Sequence, residues 1–405
     1  GFFGVAMNYQ GLDEDKTTPL CPIVVTPVHD VHEIPRTGTE RSVVRHSKGR
    51  QLRLWCNNVL HQGLRRNLLL SFPVITLISP LTLLGLLAKS LFPQSQYRLV
   101  AAIANTVSPD VPTQLLFTAP KAPLTPSEKS AQGFNDAEQA DRIAGFLSAT
   151  GLTYSFAPLV VLMGHGSISQ NNPHLAAYDC GACSGRHGGP NARVFAAMAN
   201  RPEIRQLLAG RGIVIPDDTW FIGAEHNTCN EDITWYDLCD LPEQFKTAFA
   251  KLQQELQHAQ RMSAHERCRR LASAPRNPTP LQALQHIQER ATDFSQARPE
   301  LGHATNTAAV IGRRSLTQGA FFDRRVFLIS YDPTQDEDGS LLEKILLAVG
   351  PVGAGINLEY YFSTVNNERL GCGSKVPHNV TGLLGVMEGC SSDLRTGLPQ
   401  QMVEI

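Results

Sequence analysis

Three apolar runs of strand length, each ending in glycine or in ionisable residues, constrain the fold of this chain most strongly. They are FAPLVVLMGHGS at 156–167, TWFIGAEHNTC at 219–229 and RVFLISYDP at 325–333. Continuous apolar runs bounded by turn residues are typical of strands buried on both faces of a parallel sheet. Amphipathic stretches separate the three runs, so the sequence predicts an α/β fold, a mainly parallel sheet flanked by helices.

Polar side chains follow these predicted strands where each strand ends. His165 closes the first run, Glu225 and His226 the second, and Asp332 the third. In open parallel sheets, ligands bind outside the carboxyl ends of the strands. We therefore expect these four side chains to cluster at one edge of one sheet.

The helix signals are local and clear. Asn135 or Asp136 is placed to cap a helix over 134–150, and Gly151 is a stop signal. The segment 241–271 carries Phe245 and Phe249 in an apolar stripe at helical spacing, which predicts a packing helix.

The length of 405 residues predicts two or three domains folded as one body. Residues 105–135 are rich in Pro, Ser, Thr and Ala, the composition of a linker. We expect an N-terminal part at 1–104, a linker at 105–135, and a main α/β domain at 136–405 with a helical insertion at about 241–295.

Charge and cysteine content exclude some classes of protein. With 36 Lys and Arg against 37 Asp and Glu, the chain lacks the basic field that most nucleic-acid-binding proteins have, and we expect no nucleic-acid partner. Nine irregularly spaced cysteines do not form a disulfide pattern, and the opening residues do not resemble a signal peptide. We expect a reducing, cytoplasmic setting. The apolar start at Gly1 suggests that the sequence begins inside a folded region.

Residues 68–88 contain no charged side chain and are long enough to cross a hydrocarbon core of roughly 30 Å. Pro73 and Pro80 weaken the prediction of a spanning helix. A buried or partner-covered helix, a contact with a membrane or membrane subunit, and a true span all remain open. The preceding residues are basic, typical of a cytoplasmic face near anionic lipid or simply of a solvated helix. Between positions 36 and 66 the one acid is Glu40, and the eight basic residues are Arg36, Arg41, Arg45, Lys48, Arg50, Arg53, Arg65 and Arg66.

The densest set of potential metal ligands lies at 164–195. It contains His165, His174 and His187 together with Asp179, and the cysteines of the CGAC motif, Cys180 and Cys183. Thiolate and imidazole are the ligands that Zn²⁺ prefers. The spacing leaves a catalytic zinc site, a structural zinc knuckle and a CxxC redox pair open, although CGAC does not open a helix that could lower a thiol pKa.

Long, collinear strings resemble one family over nearly the whole chain. They are GHGSISQNNPH, DCGACSGRHGGPNARVFA, IPDDTWFIGAEHNTC, SYDP and INLEYYFSTVNNERLGCGSKVPHNVTGLLGVMEG. They resemble the DabA-type subunits of bacterial inorganic carbon accumulation complexes. The resemblance implies a core similar to β-type carbonic anhydrases, with helical insertions, and one Zn²⁺ held by Cys, Asp, His and Cys.

The last two of these ligands correspond to His165 and Cys180. The first two belong to a CxDxR element that this chain does not contain, so the resemblance places them, and the catalytic Asp-Arg pair, upstream of Gly1. This chain also differs from ordinary β-type anhydrases, because His165 and Cys180 are 15 positions apart. Cys183 and His187 are expected to be neighbours of the site, and Glu225 and His226 either partners that orient a zinc ligand or loop residues.

The function implied by the resemblance is zinc-dependent hydration of CO₂ to bicarbonate, within an energy-coupled uptake complex. Its partner would be a membrane-embedded, ion-translocating subunit of the DabB type, and its location the cytoplasmic face of the bacterial inner membrane. Two alternatives stay open: a non-catalytic, zinc-stabilised interaction or regulatory subunit, and a free cytosolic zinc hydrolase. If the chain belongs to such an uptake complex, we expect the 68–88 segment to form part of the surface that docks to the membrane subunit.

Overall fold

The computed structural model describes residues 4–22, 25–120, 131–167, 183, 186–293, 306–371, 373, 397, 398 and 400. Its strands are β1 Met7–Gln10, β2 Thr18–Leu20, β3 His29–Pro35, β4 Thr113–Leu116, β5 Ala131–Gln132, β6 Leu159–Gly166, β7 Trp220–Asn227, β8 Ile233–Trp235, β9 Ala308–Gly312 and β10 Val326–Ser330. Its α-helices are α1 Glu40–Asn58, α2 Leu64–Arg66, α3 Leu68–Leu91, α4 Pro93–Val107, α5 Asp136–Thr150, α6 Gly189–Ala199, α7 Pro202–Ala209, α8 Lys246–Cys268, α9 Pro280–Thr292, α10 Ser340–Val365 and α11 Asn367–Leu370.

The central sheet has the order β6-β7-β8. Strands β6 and β7 are parallel over eight residue pairs, from Leu159 opposite Trp220 to Gly166 opposite Asn227, and β8 is antiparallel to β7. The predicted strands at 156–167 and 219–229 are therefore confirmed. In β7 nearly every residue is buried, as its apolar sequence predicts.

Helix α6 packs on one face of this sheet at very short range. A Cβ atom on Gly223 of β7 would lie 2.7 Å from Cα of Arg193, and one on Gly164 of β6 would overlap the backbone of Gly188. Glycine at both positions therefore lets the helix lie directly on the strands. Val194, Phe195 and Met198 of α6 join the main hydrophobic cluster on this face. A second cluster, which includes Ile222 and Phe249, covers the opposite face.

Helix α5 has the ends that the sequence predicts. The Asn135 side chain accepts a hydrogen bond from the Glu138 amide, and the Glu138 side chain accepts one from the Asn135 amide, which is a complete capping box. Gly151 ends the helix with φ of 71°, a left-handed conformation that glycine adopts without strain. Ile143 and Leu147 are fully buried in the main cluster.

A second sheet is formed by the N-terminal part of the chain. Its order is β2-β1-β3-β4, with β5 also pairing with β3. Strands β1 and β3 are parallel, whereas β2 and β4 are antiparallel to their neighbours. Parts of the predicted 105–135 linker are therefore strands of this sheet, because β4 and β5 both lie within it.

A buried arginine connects the second sheet with α6 and with the loop after β8. Arg193 is 4% exposed and donates hydrogen bonds to Glu33 of β3, to Thr113 of β4 and to Asp237. Its Nε and a terminal nitrogen each lie 2.7 Å from an Asp237 oxygen, which makes that pair bidentate. Arg36 adds a second cation to Asp237 and also pairs with Asp240.

Strands β9 and β10 form a separate, two-stranded parallel sheet. The strand predicted at 325–333 is confirmed as β10, but Asp332 does not lie in the sheet that carries His165. The prediction that all four strand-end side chains cluster at one sheet edge is therefore wrong for Asp332, because similar apolar runs need not pair with each other. The described sheets mix parallel and antiparallel pairs, and a β-carbonic-anhydrase-like core stays a prediction.

Helices α8 and α9 lie within the predicted helical insertion and pack against each other. Ala264 and Cys268 of α8 meet Ala283 and Ile287 of α9 in a small buried cluster. Arg267 of α8 is 1% exposed and points toward the central sheet, where it meets Glu231. The insertion therefore covers the face of the sheet opposite α6.

Two helices are apolar and exposed. Segments Ser71–Leu91 and Ser340–Val365 are long and apolar enough to cross a membrane by length and composition, and no part of their most apolar windows is buried within the structure. Within the described residues α3 is therefore not buried by the rest of the chain, and of the interpretations given for 68–88 the partner-covered helix, the membrane contact and the span stay open. The second helix, α10, was not among the sequence predictions.

Helix α3 continues through both of its prolines. Pro80 lacks the amide hydrogen that would reach the Thr76 carbonyl, and the Ser79 hydroxyl donates to that carbonyl at 3.1 Å. Replacement of a missing backbone donor by Ser or Thr is typical of proline-containing helices in apolar surroundings. The helix is therefore continuous from Leu68 to Leu91 with both prolines inside it.

Removing the Arg193 guanidinium tests its structural role. We expect Arg193→Met to lower the free energy of unfolding by about 3 kcal/mol, because it leaves Glu33 and Asp237 partly buried without their shared cation. The measurement is urea denaturation followed by tryptophan fluorescence. The control is Arg211→Met, which removes an exposed pair with Asp141 and should cost less than about 1 kcal/mol. Equal effects of the two changes would contradict this assignment.

Candidate functional site

The candidate site lies at the carboxyl ends of β6 and β7. His165 is the penultimate residue of β6 and stands directly opposite His226 on β7. The sequence prediction that His165, Glu225 and His226 share one sheet edge is confirmed. Cys180, the second predicted zinc ligand, lies outside the described residues, as do His174 and Asp179.

The strand-end side chains divide between the two faces of the sheet. Glu225 contacts the start of α6, and Gly223, two residues earlier, lies against the same helix. Successive side chains of a strand point to opposite faces, and residues paired across parallel strands share a face. His165 and His226 therefore lie side by side on the face opposite α6, while Glu225 belongs to the α6 face.

Glu225 is held by three donors on the α6 face. It accepts hydrogen bonds from Nδ1 of His187 at 2.9 Å, from the Gly189 amide at 3.0 Å and from the Tyr236 hydroxyl at 3.4 Å. The Gly189 amide belongs to the first turn of α6, where the helix dipole favours a carboxylate. Burial raises the pKa of Tyr236, so this phenol keeps the proton that it donates.

Glycines make room for this arrangement. A Cβ atom on Gly189 would overlap both the Glu225 carboxylate and the Tyr236 hydroxyl, and one on Gly166 would overlap the His187 ring. The high glycine content at 164–195 therefore has a packing reason at these two positions. Glu225 orients His187. From the sequence, Glu225 could be either a partner that orients a zinc ligand or a loop residue.

His226 belongs to a second histidine–carboxylate pair on the opposite face. Its Nε2 lies 2.8 Å from Oε2 of Glu231, and the other Glu231 oxygen accepts a hydrogen bond from Arg267 of α8 at 2.7 Å. Burial by itself would raise the pKa of Glu231. The His226 hydrogen bond and the Arg267 charge outweigh burial and lower this pKa to about 2. The carboxylate is therefore ionised at neutral pH and fixes the ring of His226 beside His165.

Two cysteines near the site are buried. The Cys229 thiol lies 2.9 Å from the Ser167 hydroxyl just beyond the end of β6. Cys183 is 2% exposed and lies in the main hydrophobic cluster. The zinc-knuckle and CxxC alternatives both need Cys180, and the structure describes no geometry for that residue.

Asp332 has a different environment. Arg313 donates to it at 2.8 Å, and together with hydrogen bonds from Thr334 this lowers the pKa of the Asp332 carboxyl. The side chain caps the turn after β10. These contacts give Asp332 a local structural role in the β9–β10 unit.

The donor set suits a zinc site only in part. Within the described residues, no group of three or more His, Cys, Asp and Glu side chains is placed to hold a metal ion. His165 and His226 nevertheless supply two imidazoles side by side at a strand end, the ligand type that zinc commonly binds. Completing a zinc shell requires residues beyond those described here.

Comparison with known proteins shows that the chain belongs to the DabA family. It matches the family described as "Probable inorganic carbon transporter subunit DabA" over residues 1–405. It is 61% identical to the protein of that name from Methylococcus capsulatus over 406 residues, which cover all of this chain and 38% of the relative. It is 57% identical to that of Dechloromonas aromatica, of which it covers 40%, and 41% identical to that of Parafrankia, of which it covers 38%.

The chain thus spans about two fifths of the length of these relatives. No solved structure matches it.

The Glu231 cluster generates a pH-dependent prediction. Because its pKa is lowered from 4.5 to about 2, ionised Glu231 stabilises the fold fully above about pH 4.5, and this stabilisation is lost as the pH falls toward 2. We expect Glu231→Gln to lower the free energy of unfolding by about 3 kcal/mol at pH 7, and the difference from wild type to shrink toward pH 2. The measurement is urea denaturation at a series of pH values.

The control for this prediction is Glu203→Gln, which removes an exposed carboxylate paired with Arg201. Its effect should stay below about 1 kcal/mol at every pH. A Glu231→Gln deficit that does not change between pH 7 and pH 3 would contradict the pKa assignment.

Proposed function

We propose that this chain is the zinc-binding part of a subunit that hydrates CO₂ to bicarbonate for energy-coupled inorganic carbon uptake. The observation that carries the proposal is the family match along the whole chain, with His165 at the carboxyl end of a parallel strand. This is the position at which open α/β sheets bind their ligands. The names of the relatives, probable inorganic carbon transporter subunits, supply the substrate class.

Zinc would be held by His165 and Cys180, together with a Cys and an Asp from outside this chain. When bound, Zn²⁺ would supply the Lewis-acid chemistry that makes water a nucleophile toward CO₂ near neutral pH. His165 would be kept in place by its strand, whose backbone is paired with β7 on one side. The Gly188 amide donates to the His165 carbonyl at 2.8 Å and ties the start of α6 to the same residue.

The neighbouring charges suit such a site. The Glu231 carboxylate fixes His226 beside His165, and Arg267 balances the buried negative charge. On the other face, Glu225 orients His187. These partners hold the two rings in defined orientations, as the outer partners of zinc ligands commonly do, and keep additional charge close to the strand ends.

The exposed apolar helices support a membrane-associated location. Leu77 and Leu84 of α3 are 79% and 62% exposed, which is unfavourable in water at about 25 cal/mol per Å² of apolar surface. Basic residues precede this segment in the sequence, Arg65 and Arg66 immediately before α3 and five more within α1. We propose that α3 docks against the membrane-embedded, ion-translocating partner of the DabB type, at the cytoplasmic face of the inner membrane.

A non-catalytic, zinc-stabilised interaction subunit is the second candidate. It is favoured by the same exposed helices, which suit a contact with a partner. A metal centre with an exchangeable coordination position favours catalysis, whereas a saturated shell of four protein ligands favours a structural role. A free cytosolic hydrolase has less support, because it would leave both apolar helices uncovered.

Zinc content tests the proposed metal site. We expect about one zinc per chain in the purified full-length protein, and its loss in both His165→Ala and Cys180→Ala, because each removes a ligand. The measurement is elemental analysis, with and without the membrane partner. His46→Ala is the control. His46 lies on helix α1 and pairs with Asp13, so its removal should leave the zinc content unchanged. Zinc retained in either ligand variant would contradict the assignment.

Co-purification tests the proposed docking surface. We expect the double change Leu77→Glu and Leu84→Glu to abolish co-purification with the membrane partner, since it places two charges on an apolar contact surface. The control is Val214→Glu, which charges an apolar side chain that is 63% exposed elsewhere on the molecule. Normal co-purification of the double variant would exclude α3 from the docking surface.

A further inference from the structure

Helix α1 begins a stretch of the chain in which all charged side chains have the same sign. Between positions 41 and 109 there are nine Lys and Arg and no Asp or Glu, although the whole chain has a net charge of −1. Five of the nine lie on α1, and two more lie on α2, just before the exposed apolar helix α3. Positive charge and exposed apolar surface are therefore concentrated in the same part of the chain.

One side of α1 is fixed to the rest of the molecule. Gly49 lies so close to the end of α4 that a Cβ atom there would overlap the Val107 carbonyl. His46 donates from Nδ1 to the Pro109 carbonyl at 2.8 Å, and its Nε2 lies 2.9 Å from an Asp13 oxygen. These contacts set the rotation of the helix about its own axis, so the opposite side of α1 is directed outward.

The outward side of α1 carries a stripe of apolar and basic side chains. Its members follow one another at spacings of three and four, which places them on one face of the helix. They are Arg41, Val44, Lys48, Leu52 and Trp55. All five are exposed, with 53% exposure for Leu52 and 63% for Trp55. This face therefore offers large apolar groups and cations side by side.

We infer that the α1 stripe lies in the headgroup region of an anionic lipid bilayer, with the helix parallel to the membrane plane. A helix that presents Trp and Leu together with Lys and Arg is typical of a lipid surface. The ring of Trp55 would lie at the boundary with the acyl chains, as aromatic rings commonly do. Arg41 and Lys48 would meet the phosphate groups.

The neighbouring helix α3 favours lipid over other anionic surfaces. Leu83, Leu84, Leu86 and Leu87 are each between 46% and 62% exposed and lie on different sides of that helix. A helix that is apolar on every side suits apolar surroundings, which a nucleic acid does not offer. An apolar protein surface could cover α3 but would leave the cations of α1 without counter-charges. An anionic bilayer provides both kinds of contact at once.

Vesicle binding by the full-length protein, purified without its membrane partner, tests the contribution of charge. The vesicles contain phosphatidylcholine alone or an equal mixture of phosphatidylcholine and phosphatidylglycerol. We expect Arg41→Glu with Lys48→Glu to weaken binding to the mixed vesicles at least about 25-fold, because each basic side chain near an anionic surface contributes about fivefold.

The matched control is Lys246→Glu with Lys251→Glu, which makes the same change of charge at two exposed positions of α8. It should bind the mixed vesicles as the wild type does. Equal losses in the two double variants would overturn the inference, and so would equal binding of the wild type to both kinds of vesicle. Loss of co-purification with the membrane partner but not of vesicle binding, on changing Arg41 and Lys48, would assign the stripe to a protein contact and would also overturn it.

Quenching by brominated acyl chains tests the position of Trp55. In mixed vesicles that contain brominated phosphatidylcholine, we expect the quenched fraction of the tryptophan fluorescence to fall in Trp55→Phe. The control is Trp235→Phe, which removes a ring packed against Phe249 and should not lower that fraction. The same quenched fraction in the wild type and in Trp55→Phe would place Trp55 outside the lipid and overturn the inference. Neither assay requires zinc, so its failure leaves the proposed metal site untouched.

Discussion

The buried Arg193 guanidinium is the interaction on which the rest of the arrangement depends. It lies where α6, the N-terminal sheet and the loop after β8 meet, and its donors are shared among Glu33, Thr113 and Asp237. A buried cation is costly unless its partners are well placed, so the contacts of Arg193 hold these three parts of the chain in the arrangement observed. Because Arg193 lies against Gly223, the same constraint fixes α6 on the central sheet and its first turn at the strand ends.

The position of α6 determines the character of the two faces of the candidate site. On the α6 face, the helix start supplies an amide to Glu225, which then orients His187. On the other face, α8 supplies Arg267, and Glu231 is ionised and holds His226 beside His165. Each face thus has a histidine fixed by a buried carboxylate, and each carboxylate is stabilised by a different helix: by a dipole in one case and by a full charge in the other.

Local patterns predicted the parts of this structure that depend on local interactions. The strands that carry His165 and Glu225 follow from continuous apolar runs, and the ends of α5 follow from Asn135 and Gly151. Pairings between distant segments could not be predicted in this way. Asp332 was misplaced because its strand resembles β6 and β7 in sequence yet pairs only with β9. Arg193 and Arg267 carried no signal, since a buried arginine has the same sequence pattern as an exposed one until its carboxylates are located in space.

Helices α3 and α10 keep long runs of apolar side chains exposed within the described residues. In water such a surface is unfavourable, so these side chains suit lipid or an apolar protein surface. His165 and its neighbours lie instead at the carboxyl ends of β6 and β7. The candidate site and the exposed apolar surface are therefore formed by different elements of the chain.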